Sequence, residues 1–253
     1  MLMNQLASSY REDYQCIHCV NAHCCLSKEL HDEDLQRLSQ KIKQRHPLHR
    51  GESLVMMGDE FVSLFIVRSG FFKSYLLSCD GEQQIVGFFM PGDVLGVDAI
   101  NMKQHRYTIE ALDTASVCTL SFHDYELLLN DTPNLQRWLL KSISRQVICE
   151  QEMLLMLGKM TAEQRVAHFI LDMHSRMTAN SQTNSTANLP MSRADIANYL
   201  GLAVETISRL LTRLQNKGVL IISGKSVTIT DFTRLQEISD HKFEAANSLR
   251  HVA

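Results

Sequence analysis

With 253 residues, 45% of them apolar and 21% charged, the chain is long enough for one large or two modest domains and has the make-up of an ordinary globular protein. Its net charge of −3 gives no global sign of a nucleic-acid partner, so charge has to be read locally. The opening MLMNQLASSYREDYQ lacks an apolar signal core and no later run approaches membrane-spanning length, so a cytoplasmic protein with reduced thiols and no membrane partner is expected.

Four of the seven cysteines, Cys16, Cys19, Cys24 and Cys25, crowd into YQCIHCVNAHCCLS. In a reducing compartment such crowding points to metal or redox chemistry, and an odd total fits a disulfide framework poorly. Next, Leu30, Leu35 and Leu38 recur at helical spacing and predict a short helix. Seven of the eleven glycines then fall between Gly51 and Gly96, punctuating short β-type runs such as SLFIVRSG, FFKSYLLS, EQQIVGFFM, RYTIEAL and ASVCTLSF. Close-spaced short strands of this kind predict a β-roll or sandwich. CDGE at 79–82 reads as a hairpin turn with Asp80-Gly81 as the pair taking positive φ.

After Phe122 the period changes. Asp131 or Thr132 as cap and Pro133 in the first turn start a helix exceeding twenty residues. Leu140, Ile143, Val147, Glu150, Leu154 and Leu157 are spaced 3-4-3-4-3, the seam of a two-stranded coiled coil, so a homodimer is expected; a helix packed on its own domain would show much the same stripe. TAEQRVAHFILDMHSRM is a further amphipathic helix, and the polar tract 178–188 is expected to be a surface loop.

Ser192 then caps a helix containing Ile196, Ala197 and Leu200, Gly201 breaks it, and a second helix runs from about Val204 to Lys217. Two short helices across a glycine turn make a helix-turn-helix. With Ile207, Leu210, Leu211 and Leu214 turned inward, Val204, Glu205, Ser208 and Arg209 occupy the outer face, where a recognition helix meets base edges of double-stranded DNA. Arg209 can fork onto guanine, Glu205 can accept from a cytosine amine, and Ser208 is permissive. GVLIISGKSVTITD alternates as a hairpin, a wing with Gly224-Lys225 at its turn. From Met191 to Lys225 five basic residues stand against two acidic ones, a local charge of +3 inside an acidic chain. Residues 232–253 hold a short helix with a frayed end.

In this order, glycine-punctuated roll, long helix and a winged helix-turn-helix with VETISRLLTRLQ, the chain resembles the cyclic-AMP receptor/FNR superfamily over about residues 15–235. Glu205, Ser208 and Arg209 are similar to the Glu-x-x-Ser-Arg pattern of its FNR branch, the oxygen-responsive regulators. The implied fold is α+β: an N-terminal jelly-roll domain like those that bind cyclic nucleotides, a long dimerisation helix and a C-terminal winged helix-turn-helix. The expected segments are 1–28 (cysteine-rich), 29–132 (roll), 133–160 (dimer helix), 161–235 (DNA-binding) and 236–253 (tail).

The resemblance implies a transcription regulator, not an enzyme, that binds two-fold TTGAT-like sites. Arg209 and Glu205 would read the G·C pair, Ser208 a thymine, and Val204 would make apolar contact. It also implies a [4Fe–4S] cluster held by Cys16, Cys19, Cys25 and, from the roll, Cys118. Cys118 shares a strand face with Leu120 and Phe122, so a buried structural cysteine is the alternative. Cys24 can replace Cys25 or be a spare thiol, zinc held by these cysteines with a histidine is the rival metal, and the same fold can sense another signal with its cysteines free. Cys79, Cys149, His18 and His23 read as non-ligands. Asp93 stands where cyclic-nucleotide-binding relatives carry a glutamate, and Tyr107 follows Arg106 where they carry a small hydroxyl residue, so cyclic nucleotide is not expected. Glu150 in the seam would face its symmetry mate and weaken pairing unless it is protonated, points outward or pairs with Arg145 of the partner subunit. Loss of the cluster to oxygen would then loosen the dimer. Contact with RNA polymerase through surface loops, the 79–82 hairpin among them, is implied by the resemblance alone.

Overall fold

A computed structural model of the chain describes Cys16, Cys19, Cys25, Leu26 and residues 30–129, 131–178 and 186–239. The described residues of Met1–Leu76 and Phe88–Arg145 form one compact unit, and those of Leu77–Gly87 and Gln146–Ala253 form another.

The first unit starts with α1 (Asp32–Lys41), which buries Leu35 and Leu38, followed by β1 (Lys43–Gln44), β2 (Ser53–Val55), β3 (Ser63–Ser69) and β4 (Phe72–Leu77). After the hairpin come β5 (Gln83–Phe89), β6 (Val94–Leu95), β7 (Thr108–Ala111), β8 (Ser116–Ser121) and α2 (Phe122–Leu129). The strands make two four-stranded sheets, in the orders β1-β8-β3-β6 and β2-β7-β4-β5. This is the expected roll.

Burial on both sides of β3 organises the unit. Phe65 and Val67 point into the roll with Phe72, Ile109, Ala111 and Val117. Leu64 and Ile66, one step out of phase, point outward into a second cluster with Leu26, Leu35, Leu38, Leu120, Leu135 and Trp138. Period-two alternation on a strand buried on both faces therefore splits the core in two. β8 follows the same rule, pairing Ile66 with Cys118 and Val67 with Val117.

The turn at 78–82 departs from expectation. Among the described residues only Lys103 combines a side chain with positive φ, so Asp80 does not; Gly81 alone takes it, at φ +79°. The Gly81 amide donates to Ser78 O and the Ser78 amide to Glu82 O, which makes a longer loop than a two-residue turn. α2 is an addition: FHDYELLL is too short to show a period clearly.

α3 (Pro133–Lys159) is the long helix expected from Pro133. In the second unit, α4 (Ala162–Thr178) is followed by β9 (Thr186–Asn188), α5 (Arg193–Leu200), α6 (Val204–Asn216), β10 (Leu220–Ser223), β11 (Ser226–Ile229) and α7 (Phe232–Ser239). The tract expected as loop at 178–188 is corrected at its end: Thr186–Asn188 forms β9, pairing with β11, because Ala187 offers one small side chain to bury while Thr186 and Asn188 stay wet. Thr186 Oγ1 and Thr228 Oγ1 lie 2.8 Å apart across that pair. Arg165 ties the unit together, donating to the carbonyls of Leu157 (2.8 Å), Met160 (3.1 Å) and Leu200 (3.0 Å). Those oxygens sit at the C-terminal ends of α3 and α5, where helical carbonyls lack partners within the helix. Asn198 of α5 binds the 77–87 segment, donating from Nδ2 to Gln83 O (2.6 Å) and accepting from the Ile85 amide at Oδ1 (2.6 Å).

Gly70 is the tightest backbone approach in the roll. At φ +74°, a Cβ there would lie 2.6 Å from Thr114 O and from Ala115 Cα. Gly70→Ala is expected to lower stability by about 2 kcal/mol or more, read as a fall in the urea midpoint with unchanged slope.

Candidate functional site

The pleat of β8 decides where Cys118 lies. Cys118 lies on its outward face, one residue out of phase with the inward Val117, and packs half-buried against the outer cluster. Cys16 and Cys25 pack against that same cluster. Leu26, only 1% exposed, anchors the cysteine segment there, a burial contributing roughly 2 kcal/mol. The Cys19 amide donates to Cys16 O (3.2 Å), a turn that suits the two-residue spacing of these thiols. Ser39 of α1 accepts from the Cys16 amide (3.1 Å) while its own hydroxyl donates to Leu35 O (2.7 Å).

The electrostatics agree with this proximity. Burial above all, with the Cys16 and Cys19 thiols adding to it and Arg68 opposing, pushes Cys118 from 9.0 up to about 11. Burial also raises Cys16, against the Ser39 hydroxyl and Arg68. A positive charge beside Cys16 and Cys118 would favour their thiolates over the neutral thiols that burial favours. Among the described residues, no three His, Cys, Asp or Glu side chains close into a shell that would itself hold a metal ion. Cys24, His18 and His23 lie outside the described residues. Cys79 and Cys149 are exposed and sit on the hairpin and on α3.

The second candidate site is α5 and α6. Ser192 caps α5 through a reciprocal box: its Oγ accepts from the Asp195 amide (3.0 Å) and the Asp195 carboxylate accepts from the Ser192 amide (2.9 Å). Gly201 ends α5 in the left-handed conformation, φ 63°. α6 buries Ile207, Leu211 and Leu214 and half-buries Leu210. Val204, Glu205 and Arg209 are exposed and Ser208 is half-buried beside them. Ser208, Arg209, Thr212, Arg213, Asn216 and Lys217 line one open, shallow face. Lys217 Nζ lies 2.6 Å from Glu163, whose carboxylate is also 3.7 Å from Arg213. β10, β11 and β9 form the wing sheet, with Lys225 exposed at its tip.

Along α3, Leu140 (61% exposed), Val147, Leu154 (72% exposed) and Leu157 present apolar surface, and Glu150 is exposed between them. Ile143 instead packs partly against the outer cluster.

Residues 164–238 match the Crp-like helix-turn-helix domain family and residues 45–132 the cyclic nucleotide-binding domain family. An anaerobic regulatory protein of Aggregatibacter actinomycetemcomitans is 41% identical over 226 residues, 88% of either chain. The fumarate and nitrate reduction regulatory protein of Escherichia coli K12 is 37% identical over 226 residues, 89% of this chain and 90% of that one. The chain belongs to the FNR branch of the CRP/FNR superfamily of transcription regulators. The structure of FixK2 from Bradyrhizobium japonicum superposes with a TM-score of 0.73 at 30% identity, covering 80% of this chain and 99% of that one.

Members of this superfamily are DNA-binding regulators rather than enzymes, and this one carries the family's helix-turn-helix. Its roll matches the cyclic nucleotide-binding domain family over residues 45–132. The Asp93 carboxylate accepts from the Met90 amide of its own turn (2.9 Å). Arg106 is exposed, and its amide donates to Asp98 (2.8 Å). Sequence reasoning missed Arg68, Ser39, Arg193 and Glu163 as site residues. Each acts across elements, and no local spacing announces such a contact.

The pH dependence of the metal-free protein follows from Cys118. Its folded value lies above that of an ordinary thiol, so its contribution to stability is complete below pH 9 and lost as pH rises through about 11. Cys118→Ala is expected to remove that part of the alkaline decline, measured by denaturation at pH 8 and at pH 10.5.

Proposed function

We propose that this FNR-branch regulator senses oxygen through a [4Fe–4S] cluster held by Cys16, Cys19, Cys25 and Cys118, and that it acts in the cytoplasm on anaerobic gene expression. Two relatives about 40% identical, one named an anaerobic regulatory protein and one a fumarate and nitrate reduction regulatory protein, support that reading. The single observation carrying it is that Cys16, Cys25 and Cys118 all pack against the outer cluster of the roll, with Cys16 and Cys19 close enough to raise Cys118. Four soft thiol donors fit an iron–sulfur group, and its positive charge would favour the thiolates of Cys16 and Cys118, which burial disfavours. When bound, the cluster supplies iron–sulfur bonds that oxygen attacks.

The chain's own residues do the rest. Leu26 and Leu30 hold the cysteine segment on the β3–β8 face. The exposed stripe Leu140, Val147, Leu154 and Leu157, with Ile143 beside it, pairs with a second copy to form a homodimer. Glu150 weakens that seam, because two facing carboxylates repel. Val204, Glu205, Ser208 and Arg209 read TTGAT-like half-sites of double-stranded DNA, with Arg209 and Glu205 on the G·C pair and Ser208 on a thymine. RNA polymerase is the further partner.

Protein purified without oxygen is expected to be brown, to hold iron and sulfide in cluster proportion and to bleach in air. Cys118→Ser should abolish all three, by visible absorption and iron analysis. A colourless zinc-loaded protein, or an unchanged Cys118→Ser spectrum, would falsify the ligand set.

Glu150→Ala should tighten dimerisation of the cluster-free protein by about tenfold, measured by sedimentation. An unaltered monomer–dimer constant removes Glu150 from the mechanism.

A further inference from the structure

Arg193 is the first residue of α5, and its Nη1 lies 3.3 Å from the Ser208 hydroxyl oxygen in α6. The capping box at Ser192 and Asp195 fixes the start of that helix, so the exposed Arg193 leaves from a rigid point. Ser208 in turn sits one turn into α6, and its carbonyl accepts from the Thr212 hydroxyl (3.0 Å).

A serine hydroxyl by itself reads bases ambiguously. It donates one hydrogen and accepts at two lone pairs, so it can satisfy either an acceptor or a donor on a base edge. A guanidinium carries donors only and is always charged. Donating from Arg193 into a lone pair of Ser208 does two things. It turns the hydroxyl hydrogen away from the cation, and it sets a positive charge where an incoming base amine, itself a donor, would have to approach.

We infer that Arg193 is a specificity-determining positioning residue that biases Ser208 to donate. The pair therefore selects a base-edge acceptor, O4 of thymine, O6 and N7 of guanine or N7 of adenine, over the amine that is all cytosine presents in the major groove. This deepens the proposed function and rests on its assignment of α6 as the base-reading helix. The competing role is a plain phosphate clamp. A clamp of that kind weakens binding to every sequence alike and lowers the salt slope by about one.

The test uses the full-length protein prepared without oxygen, together with Arg193→Met and Ser208→Ala. Dissociation constants are measured against duplexes carrying each of the four base pairs at every position of a TTGAT half-site, at two salt concentrations. For the unaltered protein, one position should favour thymine or guanine over cytosine by about tenfold. Arg193→Met is expected to reduce that preference to about twofold at that position only, with the salt slope kept, and Ser208→Ala should erase it there. Uniform weakening by Arg193→Met with a lower salt slope overturns the inference. So does a preference that survives Arg193→Met but vanishes in Ser208→Ala, which leaves the base-reading assignment standing. If Ser208→Ala changes no position, that assignment of Ser208 fails and the inference fails with it.

Discussion

Packing of Leu26 and Leu30 on the outward face of the β3–β8 ladder is the contact on which the cysteine site depends. A strand buried on one side only would have turned Cys118 either into the roll or into water. Because β3 and β8 are covered on both faces, the residue between Val117 and Thr119 faces a second apolar layer made by α1, α2 and the start of α3. The cysteine segment needs only a few buried leucines to reach it. Each contributes on the order of 2 kcal/mol, enough to hold a short segment while leaving its attachment sensitive to what the thiols bind.

The same economy of means governs the helix-turn-helix. Its precision comes from small, satisfied terminal groups rather than from a large core. The Ser192–Asp195 box starts α5, Gly201 ends it, and Arg165 takes up carbonyls at the ends of α3 and α5. Helix ends whose backbone groups are paired resist fraying, and a recognition helix has to present side chains to within a fraction of an ångström. Such a module can carry a local charge of +3 without being distorted by it.

Much of this was legible in the sequence because the signals were local. Glycine punctuation with alternating apolar residues marks a roll, Pro133 marks the start of α3, and the serine three residues before Asp195 marks a cap. Strand β9 was hidden because Thr-Ala-Asn is as suited to a loop as to an edge strand, and only its partner β11 decides between them. Strands β1 and β6, two residues each, are too short to show alternation. Arg68, Ser39 and Arg193 escaped because they act on residues of other elements. Four cysteines within fourteen residues could be read at sight, whereas the face on which Cys118 lies followed only from the register pairing Ile66 with Cys118.

The Glu163 carboxylate, 2.6 Å from Lys217 and 3.7 Å from Arg213, is a local counter-charge for two of the residues that line the open face of α6. An anion approaching Lys217 competes with that carboxylate for the same ammonium, so binding there is an exchange of partners rather than the filling of an empty place. The net attraction is smaller than the two cations alone would suggest, and the displaced partner waits beside them to retake its position.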